Sequence, residues 1–407
     1  MTPSPASDAR DATRATAVAF VSSGFAFASW ASRIPAVRAR LHLSPSSLGL
    51  VLFVVAIGAI VALVVIGAVI ARVGSHRTST AMAAALAAGL LWVAFGYAEG
   101  VVVLSPGLFL LGFGAGGWDV AMNVQAAAVE QELDRPVMSR FHAGYSFGTV
   151  CGALVGAAMT ALAVSVTVHL ALVAVGVTAA AAVVGRGFLD DRGAARRSGP
   201  PVRLSAAWRE RRTLLVGVFV LGFAFAEGTA NDWISVAAID GYGTSAALGI
   251  VTYGLFLAAM TTGRWFGPAL LIRYGRVTLV RGIAAAGTMG VLVFVFSPWL
   301  PLAVAGALLW GFGTSLGFPV GMSAAADEPQ HAAARVSVVS SIGYCAFLGG
   351  PPLIGVLGDS LTVLRALTAV AVLLGISALV ANQTAAPPSF DPAPAGRGAA
   401  GRPLPEP

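Results

Sequence analysis

Long apolar runs, interrupted by short polar segments, fill most of this 407-residue chain. A membrane helix needs about 20 apolar residues, and several runs have that length. The runs at 141 to 185 and 282 to 326 are about twice as long, and polar or proline-containing breaks predict a two-helix hairpin in each. The pattern predicts an all-α membrane protein with twelve spans. They lie near 14 to 34, 46 to 71, 78 to 98, 101 to 127, 140 to 162, 165 to 186, 213 to 235, 245 to 271, 278 to 296, 300 to 325, 335 to 357 and 362 to 382.

Short motifs of the first half recur in the second half at nearly one offset. The sequence GFAFA at 24 to 28 returns at 222 to 226, and Gly144-Tyr145 returns as Gly343-Tyr344. In a hydrophobic membrane protein, a parallel duplication is typical of secondary transporters, whose halves rock around a central site. The repeat therefore predicts two pseudo-symmetric halves of six helices each.

The same pattern predicts how the chain is divided. The two halves are expected at 14 to 186 and 213 to 382, joined by an Arg-, Gly- and Pro-rich cytoplasmic linker at 187 to 212. Residues 1 to 13 and 383 to 407 are expected to be disordered cytoplasmic tails. The first span lacks a small-residue cleavage site, so we interpret it as a retained membrane anchor.

Composition and charge agree with a membrane location. The chain is 57% hydrophobic and 11% charged, which excludes a soluble domain of this size. Its formal charge of +7 comes mainly from arginines in loops on the side of both termini. The positive-inside rule assigns that side to the cytoplasm and predicts a multi-pass protein of the plasma (cytoplasmic) membrane. No segment is long enough to form a basic nucleic-acid-binding domain.

The residue types that this sequence lacks exclude several classes of function. The chain contains no lysine, so it cannot carry a phosphate-binding GxxxxGK[ST] loop. Its five histidines are scattered, and we interpret Cys151 and Cys345 as small buried apolar residues without a disulfide. We therefore expect no enzyme, no cofactor and no metal. The expected partners are a small-molecule substrate, protons and the lipid bilayer, with no nucleotide or nucleic acid, and the expected state is a monomer.

Charged residues within the predicted spans need a reason, because each costs roughly 2.5 to 3.5 kcal/mol at mid-membrane. Asp119 and Glu227 are each followed four residues later by an asparagine, Asn123 and Asn231, on the same helix face. Burial disfavours a charged carboxyl group, which allows it to bind and release protons. We predict that Asp119 and Glu227 couple transport to protons. The alternative is that each is a structural partner of an arginine.

The positions of three other charged residues indicate their roles. Asp232 lies nearer the outer end of its span, where a solvated loop is the favoured interpretation. Arg264 is predicted to neutralise a carboxylate, or alternatively a substrate anion. Arg33, after the first helix, is the second predicted charge partner.

Aromatic residues occur in the first, fourth and tenth spans, which are expected to line the cavity of a duplicated transporter. Trp30, Trp118 and Trp310 are predicted to contact substrate, together with Tyr145, Asn123 and Asn231. Helix packing or an interfacial belt is the alternative for the tryptophans. Small residues every four positions, from Gly144 to Gly156, predict close helix packing.

The loop at 67 to 77 resembles the cytoplasmic signature of the major facilitator superfamily, and a degenerate copy lies between the eighth and ninth spans. One departure is Ala71, which replaces the usual acidic residue, although Arg72 could still meet a helix end or Glu130. With twelve spans, this resemblance implies the major facilitator fold and a cytoplasmic gate. The gate residues that it implies are Gly67, Arg72, Gly74, Arg77, Gly267, Arg273, Gly275 and Arg276.

Within that superfamily, residues 119 to 123 resemble the E-T-A-A-N stretch of fucose permease-like proton symporters. The resemblance implies a protonatable role for Asp119 and a ligand role for Asn123. The first span carries Arg33 where those permeases have an acidic residue, so their coupling scheme does not transfer directly. We predict proton symport of a sugar or related metabolite. The alternatives are proton-coupled efflux of amphipathic compounds and a non-transporting receptor or sensor.

Overall fold

A computed structural model of the chain describes residues 5–135, 137–189, 204–328 and 330–386. Within those ranges the secondary structure is helical and contains no strand, which confirms the predicted fold class. The helices in chain order are α1 (Pro5–Ala31), α2 (Ile34–Leu41), α3 (Pro45–Val73), α4 (Ser75–Gly96), α5 (Val101–Leu133), α6 (Met138–Ala161), α7 (Val166–Gly187), α8 (Leu204–Ala207), α9 (Arg211–Tyr242), α10 (Ala246–Tyr274), α11 (Arg276–Phe296), α12 (Leu300–Thr314), α13 (Gly317–Ala325), α14 (Ala332–Ser360), α15 (Val363–Ala366) and α16 (Thr368–Val380), followed by a 3₁₀ helix, Ala381–Thr384.

Eleven helical segments in the described residues are long and apolar enough to cross a membrane. The remaining predicted span, near 140 to 162, corresponds to α6, a helix of 24 residues. The first, tenth and twelfth spans each consist of consecutive helices: α1 with α2, α12 with α13, and α15 with α16. The span pattern read from hydropathy therefore reappears in the structure.

Several boundaries differ from the predicted ones. Helix α1 begins at Pro5, so residues 5 to 13, expected to be disordered, are helical, and Ala12 is fully buried. In the predicted linker, α7 ends at Gly187 and α9 begins at Arg211. The remainder of the linker at 190 to 203, and the tail segments at 1 to 4 and 387 to 407, lie outside the described residues.

The two signature loops share one backbone geometry. Gly74 alone separates α3 from α4, with φ 85° and ψ 159°, and Gly275 alone separates α10 from α11, with φ 74° and ψ 161°. A positive φ strongly favours glycine. The end of the bundle that carries these loops and Arg276 is called the basic end below, and the other end is called the far end.

Helix contacts follow the duplication. In the N-terminal part of the chain, α1 packs against α6 and α4 packs against α5, while in the C-terminal part α9 packs against α14 and α11 packs against α12. Two further helix pairs, α3 with α14 and α6 with α10, join the two parts. These four helices form the contact across which the halves of a rocking transporter would move.

Glycines of α6 bring its backbone against α1, as the spacing of small residues predicts. A Cβ atom at Gly148 would lie 2.1 Å from the carbonyl oxygen of Val21, and one at Gly152 would lie 2.4 Å from that of Phe25. Small residues allow such close approach between membrane helices. The glycine series of α6 is therefore a packing feature.

We expect Gly148→Ala to destabilise the protein by about 1–3 kcal/mol, because the methyl group forces α1 and α6 apart. The midpoint of thermal unfolding in detergent measures this effect. Gly282→Ala in α11 is the matched control, because a Cβ atom there would meet nothing within 4 Å. An unchanged midpoint for Gly148→Ala would show that α6 does not pack on α1 as described.

Candidate functional site

The solvent-accessible space around Asp119, Tyr145 and Tyr344, between the two parts of the bundle, is called the central cavity below. Polar contacts join the two parts at the far end. Arg38 of α2 forms an ion pair with Asp240 of α9, and the backbone N–H of Ser46 donates to Asp359 Oδ1. The first turns of α3 lie directly against α14, since a Cβ atom at Gly49 would be 2.5 Å from the carbonyl oxygen of Pro351. Among the described residues, the hydrogen bonds that join helices α1–α7 to helices α9–α16 all lie at this end.

Asp119 of α5 faces this cavity. It is exposed, although protein atoms surround it on most sides. Tyr145 of α6 and Tyr344 of α14 both lie within electrostatic range of its carboxyl group, and Tyr344 belongs to the opposite part of the bundle. Asp119 therefore lies between the two parts, at a place that both can contact.

Asn123 stays beside Asp119, one helical turn away. Its Nδ2 donates to the backbone carbonyl of Asp119 at 2.8 Å and to Asp119 Oδ1 at 3.3 Å. This is the carboxyl–amide pair predicted from the spacing of four residues. No arginine partner of Asp119 occurs in the described part of the chain, so the carboxyl group is available to bind a proton or a solute.

Glu227 and Arg264 form a bidentate ion pair within the C-terminal part of the bundle. Arg264 Nη2 lies 3.0 Å and 2.8 Å from the two carboxylate oxygens of Glu227. Arg264 Nε also donates to the backbone carbonyl of Ser315 at 3.2 Å, where α12 ends and before α13 begins. A broken span exposes such carbonyl groups. The geometry agrees with the prediction that Arg264 neutralises a carboxylate.

This ion pair also belongs to the cavity. Tyr145 lies within electrostatic range of Glu227 and Arg264 as well as of Asp119. The side chains of Arg264 and Glu227 remain 29% and 21% exposed, so water reaches both. The structure thus brings five predicted residues into one site: Asp119, Asn123, Tyr145, Glu227 and Arg264.

Asn231 and Asp232 lie nearer the far end of α9. Tyr253 of α10 donates its hydroxyl hydrogen to Asn231 Oδ1 at 3.2 Å, and Asp232 is within electrostatic range of the same tyrosine. The loop interpretation of Asp232 is wrong, because α9 continues for ten residues beyond it and leaves it only partly exposed. A partly buried carboxyl group therefore extends the polar surface of the cavity toward the far end.

Three residues of the site were not predicted: Tyr344, Tyr253 and His142. Tyr344 could have been found, since it is the duplicate of Tyr145 in the repeat. His142 is exposed on α6, one turn before Tyr145, and lies within electrostatic range of Arg264. Tyr253 lacks a signal in the sequence, because only the packing of α10 against α9 brings it to Asn231.

The predicted substrate contacts of the three tryptophans are corrected by their burial. Trp30 is 3% exposed, and Trp118 and Trp310 are 0% exposed. Trp310 packs edge-on against Phe256, with ring centroids 5.5 Å apart. All three indoles pack between helices and do not face the cavity in this conformation.

Arg33 also differs from its predicted role as the partner of a carboxylate. It is 3% exposed, its Nε donates to His169 Nδ1 at 2.8 Å, and its Nη1 donates to Thr160 Oγ1 at 3.0 Å. These partners belong to α6 and α7, away from the central cavity. In the described residues no carboxylate contacts this guanidinium group.

The two signature loops differ in their arginine contacts. Arg72 and Arg77 are exposed. Glu130, considered as a partner of Arg72, instead accepts backbone hydrogen bonds of 2.7 Å from Val137 and Met138 at the start of α6. Arg72 therefore has no ion pair with Glu130.

The second loop is tied into an ion-pair cluster. Arg276 and Arg212 both contact Asp327, at 2.9 Å each. Arg276 also donates to the carbonyl of Thr384 in the 3₁₀ helix, whereas Arg273 lies over the ring of Tyr274 at 5.4 Å. The gate role of all eight signature residues stays a prediction. Among the described residues, a carboxylate holds an arginine of the second copy but none of the first.

Groups of three or more His, Cys, Asp or Glu residues that could hold a metal are absent from the described ranges. Cys151 and Cys345 are free thiols. Cys345 is exposed, which differs from the buried position expected for it.

Sequence comparisons place the chain in one family. A family model described as Major Facilitator Superfamily matches residues 16 to 351. The uncharacterized transporter y4wD of Sinorhizobium fredii is 32% identical over 350 residues, which cover 86% of this chain and 92% of that protein. The membrane protein MosC of Rhizobium meliloti is 26% identical over 357 residues, covering 87% of this chain and 85% of its own.

Solved structures show the same fold at low sequence identity. The nucleoside transporter NupG superposes with a TM-score of 0.70 at 13% identity, covering 91% of this chain and 98% of NupG. A D-xylose-proton symporter superposes with a TM-score of 0.69 at 12% identity, and the superposition covers 92% of this chain and 96% of the symporter.

Proposed function

Because the chain belongs to the major facilitator superfamily and is a transporter of that type, we propose that it carries a small polar solute, such as a sugar or related metabolite, in symport with protons. The observation that carries this proposal is the placement of Asp119. Its exposed carboxyl group lies between Tyr145 and Tyr344, which come from opposite parts of the bundle. The resemblance of residues 119 to 123 to the fucose permease-like branch supports the same choice.

The chemistry of the cavity favours a hydrogen-bonding solute. The hydroxyl groups of Tyr145 and Tyr344 and two asparagine amides offer both donors and acceptors for hydroxyl groups of a sugar. The three tryptophans that were predicted to contact substrate are buried and do not add to this set of groups. The solutes named for NupG and for the D-xylose-proton symporter, a nucleoside and a pentose, are also rich in hydroxyl groups.

Asp119 is the proton site of this proposal. Its protonation removes a charge from the cavity and so changes the conformation that the two halves prefer. Glu227 is the second candidate, but the ion pair with Arg264 gives it a partner that Asp119 lacks. The basic end is assigned to the cytoplasm with both termini, and the closed far end then makes this conformation inward-facing.

A second function, proton-coupled efflux of amphipathic compounds, is favoured by the carboxyl groups beside tyrosine rings in the same cavity. A cationic amphipathic solute could contact Asp119 and a ring face together. A receptor or sensor of the same fold would bind its ligand without moving it.

We expect a sugar or polyol to raise the midpoint of thermal unfolding of the purified protein in detergent. A ligand that binds the folded state stabilises it by about 2.7 kcal/mol at 100 times its dissociation constant. The stabilisation should depend on pH in the wild type and lose that dependence in Asp119→Asn. The compounds to be tested are pentoses, hexoses, polyols and tetraphenylphosphonium. If only tetraphenylphosphonium stabilises the protein, the proposal of symport is wrong and efflux of amphipathic compounds takes its place.

A further inference from the structure

A crevice of about 320 Å³ lies outside the central cavity, between α1, α6 and α7. Its walls are mainly apolar and include Phe25, Met159 and Leu172. Leu172 and Gly176 are exposed on the outer face of α7. In a membrane, exposed apolar helix faces contact lipid, so this crevice opens toward the acyl chains of the bilayer.

Two polar residues, Ser22 and His169, line the crevice, and the ring of His169 is only 1% exposed. Its Nδ1 accepts the hydrogen bond of 2.8 Å from Arg33 Nε. A guanidinium group can only donate, so Nδ1 carries no hydrogen and the neutral ring carries its hydrogen on Nε2. Nε2 is buried and has no partner in the described residues. The crevice therefore holds one unused N–H donor.

The depth of this donor in the membrane suggests the class of ligand. His169 lies in the first turn of α7, next to the far end, and the other lining residues extend from there toward Val177. Eight residues of helix span about 12 Å. A ligand that fills the crevice needs an acceptor oxygen near the membrane surface and an apolar chain that runs inward.

We propose that the crevice binds one phospholipid of the far leaflet. An acyl chain fills the space between α1, α6 and α7, and an ester or phosphate oxygen of the same lipid accepts from His169 Nε2. The buried guanidinium of Arg33 fixes the tautomer of His169 and adds positive charge behind it. This site is independent of the solute cavity and of the proton site.

The chain offers a matched pair of variants for this site. Gly176 lines the crevice, and a Cβ atom there would meet nothing within 4 Å. Gly375 of α16 lies 199 residues later, the offset of the Gly144-Tyr145 repeat, and also has nothing within 4 Å. Leucine at Gly176 fills the crevice, whereas leucine at Gly375 makes the same change on an outer helix of the other half. Both substitutions favour helix formation.

Native mass spectrometry of the full chain, titrated with palmitoyl-oleoyl phosphatidylglycerol, tests the proposal. We expect the wild type and Gly375→Leu to retain one lipid molecule that Gly176→Leu loses, with at least tenfold weaker binding at that site. His169→Phe keeps the ring and removes the donor, and it should weaken binding about fivefold. If Gly176→Leu retains as much lipid as the wild type, the proposal is wrong, even where His169→Phe fails to fold.

Discussion

Asp119→Asn is expected to abolish accumulation of solute while leaving solute exchange intact. Asparagine resembles the protonated aspartic acid in size and charge, so the cavity keeps its shape but cannot release a proton. A membrane potential of 100 mV gives about 2.3 kcal/mol per charge moved, which corresponds to an accumulation of about 50-fold for a neutral solute carried with one proton. In the variant this ratio should fall to about one.

The measurement uses proteoliposomes and the sugar that most stabilises the wild type in the thermal screen. Uptake driven by a pH gradient and potential is compared with exchange of labelled for unlabelled sugar. Glu132→Gln is the control, because Glu132 is exposed on the same helix near the basic end. Gradient-driven accumulation by Asp119→Asn at the level of the wild type would remove Asp119 from the coupling mechanism.

Breaking the ion pair of Glu227 and Arg264 from one side should destabilise the protein more than neutralising both partners. Glu227→Gln leaves the guanidinium of Arg264 facing Tyr145 and the carbonyl of Ser315 without its carboxylate. The pair is partly exposed to water, so we expect a loss of about 2 kcal/mol, below the value for a fully buried pair. The double variant Glu227→Gln with Arg264→Gln should recover at least half of that loss.

Thermal unfolding midpoints of the two single variants and the double variant complete the cycle. Additive losses in the double variant would show that the pair makes no coupled contribution to stability. Accumulation assays on the same proteins separate stability from coupling. If Glu227→Gln folds normally and loses only gradient-driven accumulation, Glu227 rather than Asp119 is the principal proton site.

Periodicity and duplication carried most of the information that the sequence holds about this fold. Apolar runs of membrane length predicted the spans, and the resemblance of two loops to one family signature predicted that the glycines at 74 and 275 occupy equivalent positions. The spacing of four residues correctly placed Asp119 beside Asn123. The same repeat also contains Tyr344, the counterpart of Tyr145, and so carries a signal for a further residue of the site.

The remaining features depend on contacts that no local pattern records. The rotation of a helix about its own axis decides whether Trp118 faces the cavity or a neighbouring helix, and in this structure the indole is completely buried. The length of α9 could not be predicted from the hydropathy pattern. Because α9 continues to Tyr242, Asp232 lies inside a helix and not in a loop. The bond from Arg33 to His169 joins residues 136 positions apart, so it follows only from the packing of α1 against α7.

Proton movement during solute transport tests the account most directly. Wild-type proteoliposomes without an imposed gradient, given an inward gradient of the stabilising sugar, should take up protons with the sugar and so make the external medium more alkaline. Asp119→Asn should pass no protons under the same conditions. Sugar uptake by the wild type without any change of external pH would contradict proton symport, and movement of protons out of the vesicles as sugar enters would reverse the proposed coupling.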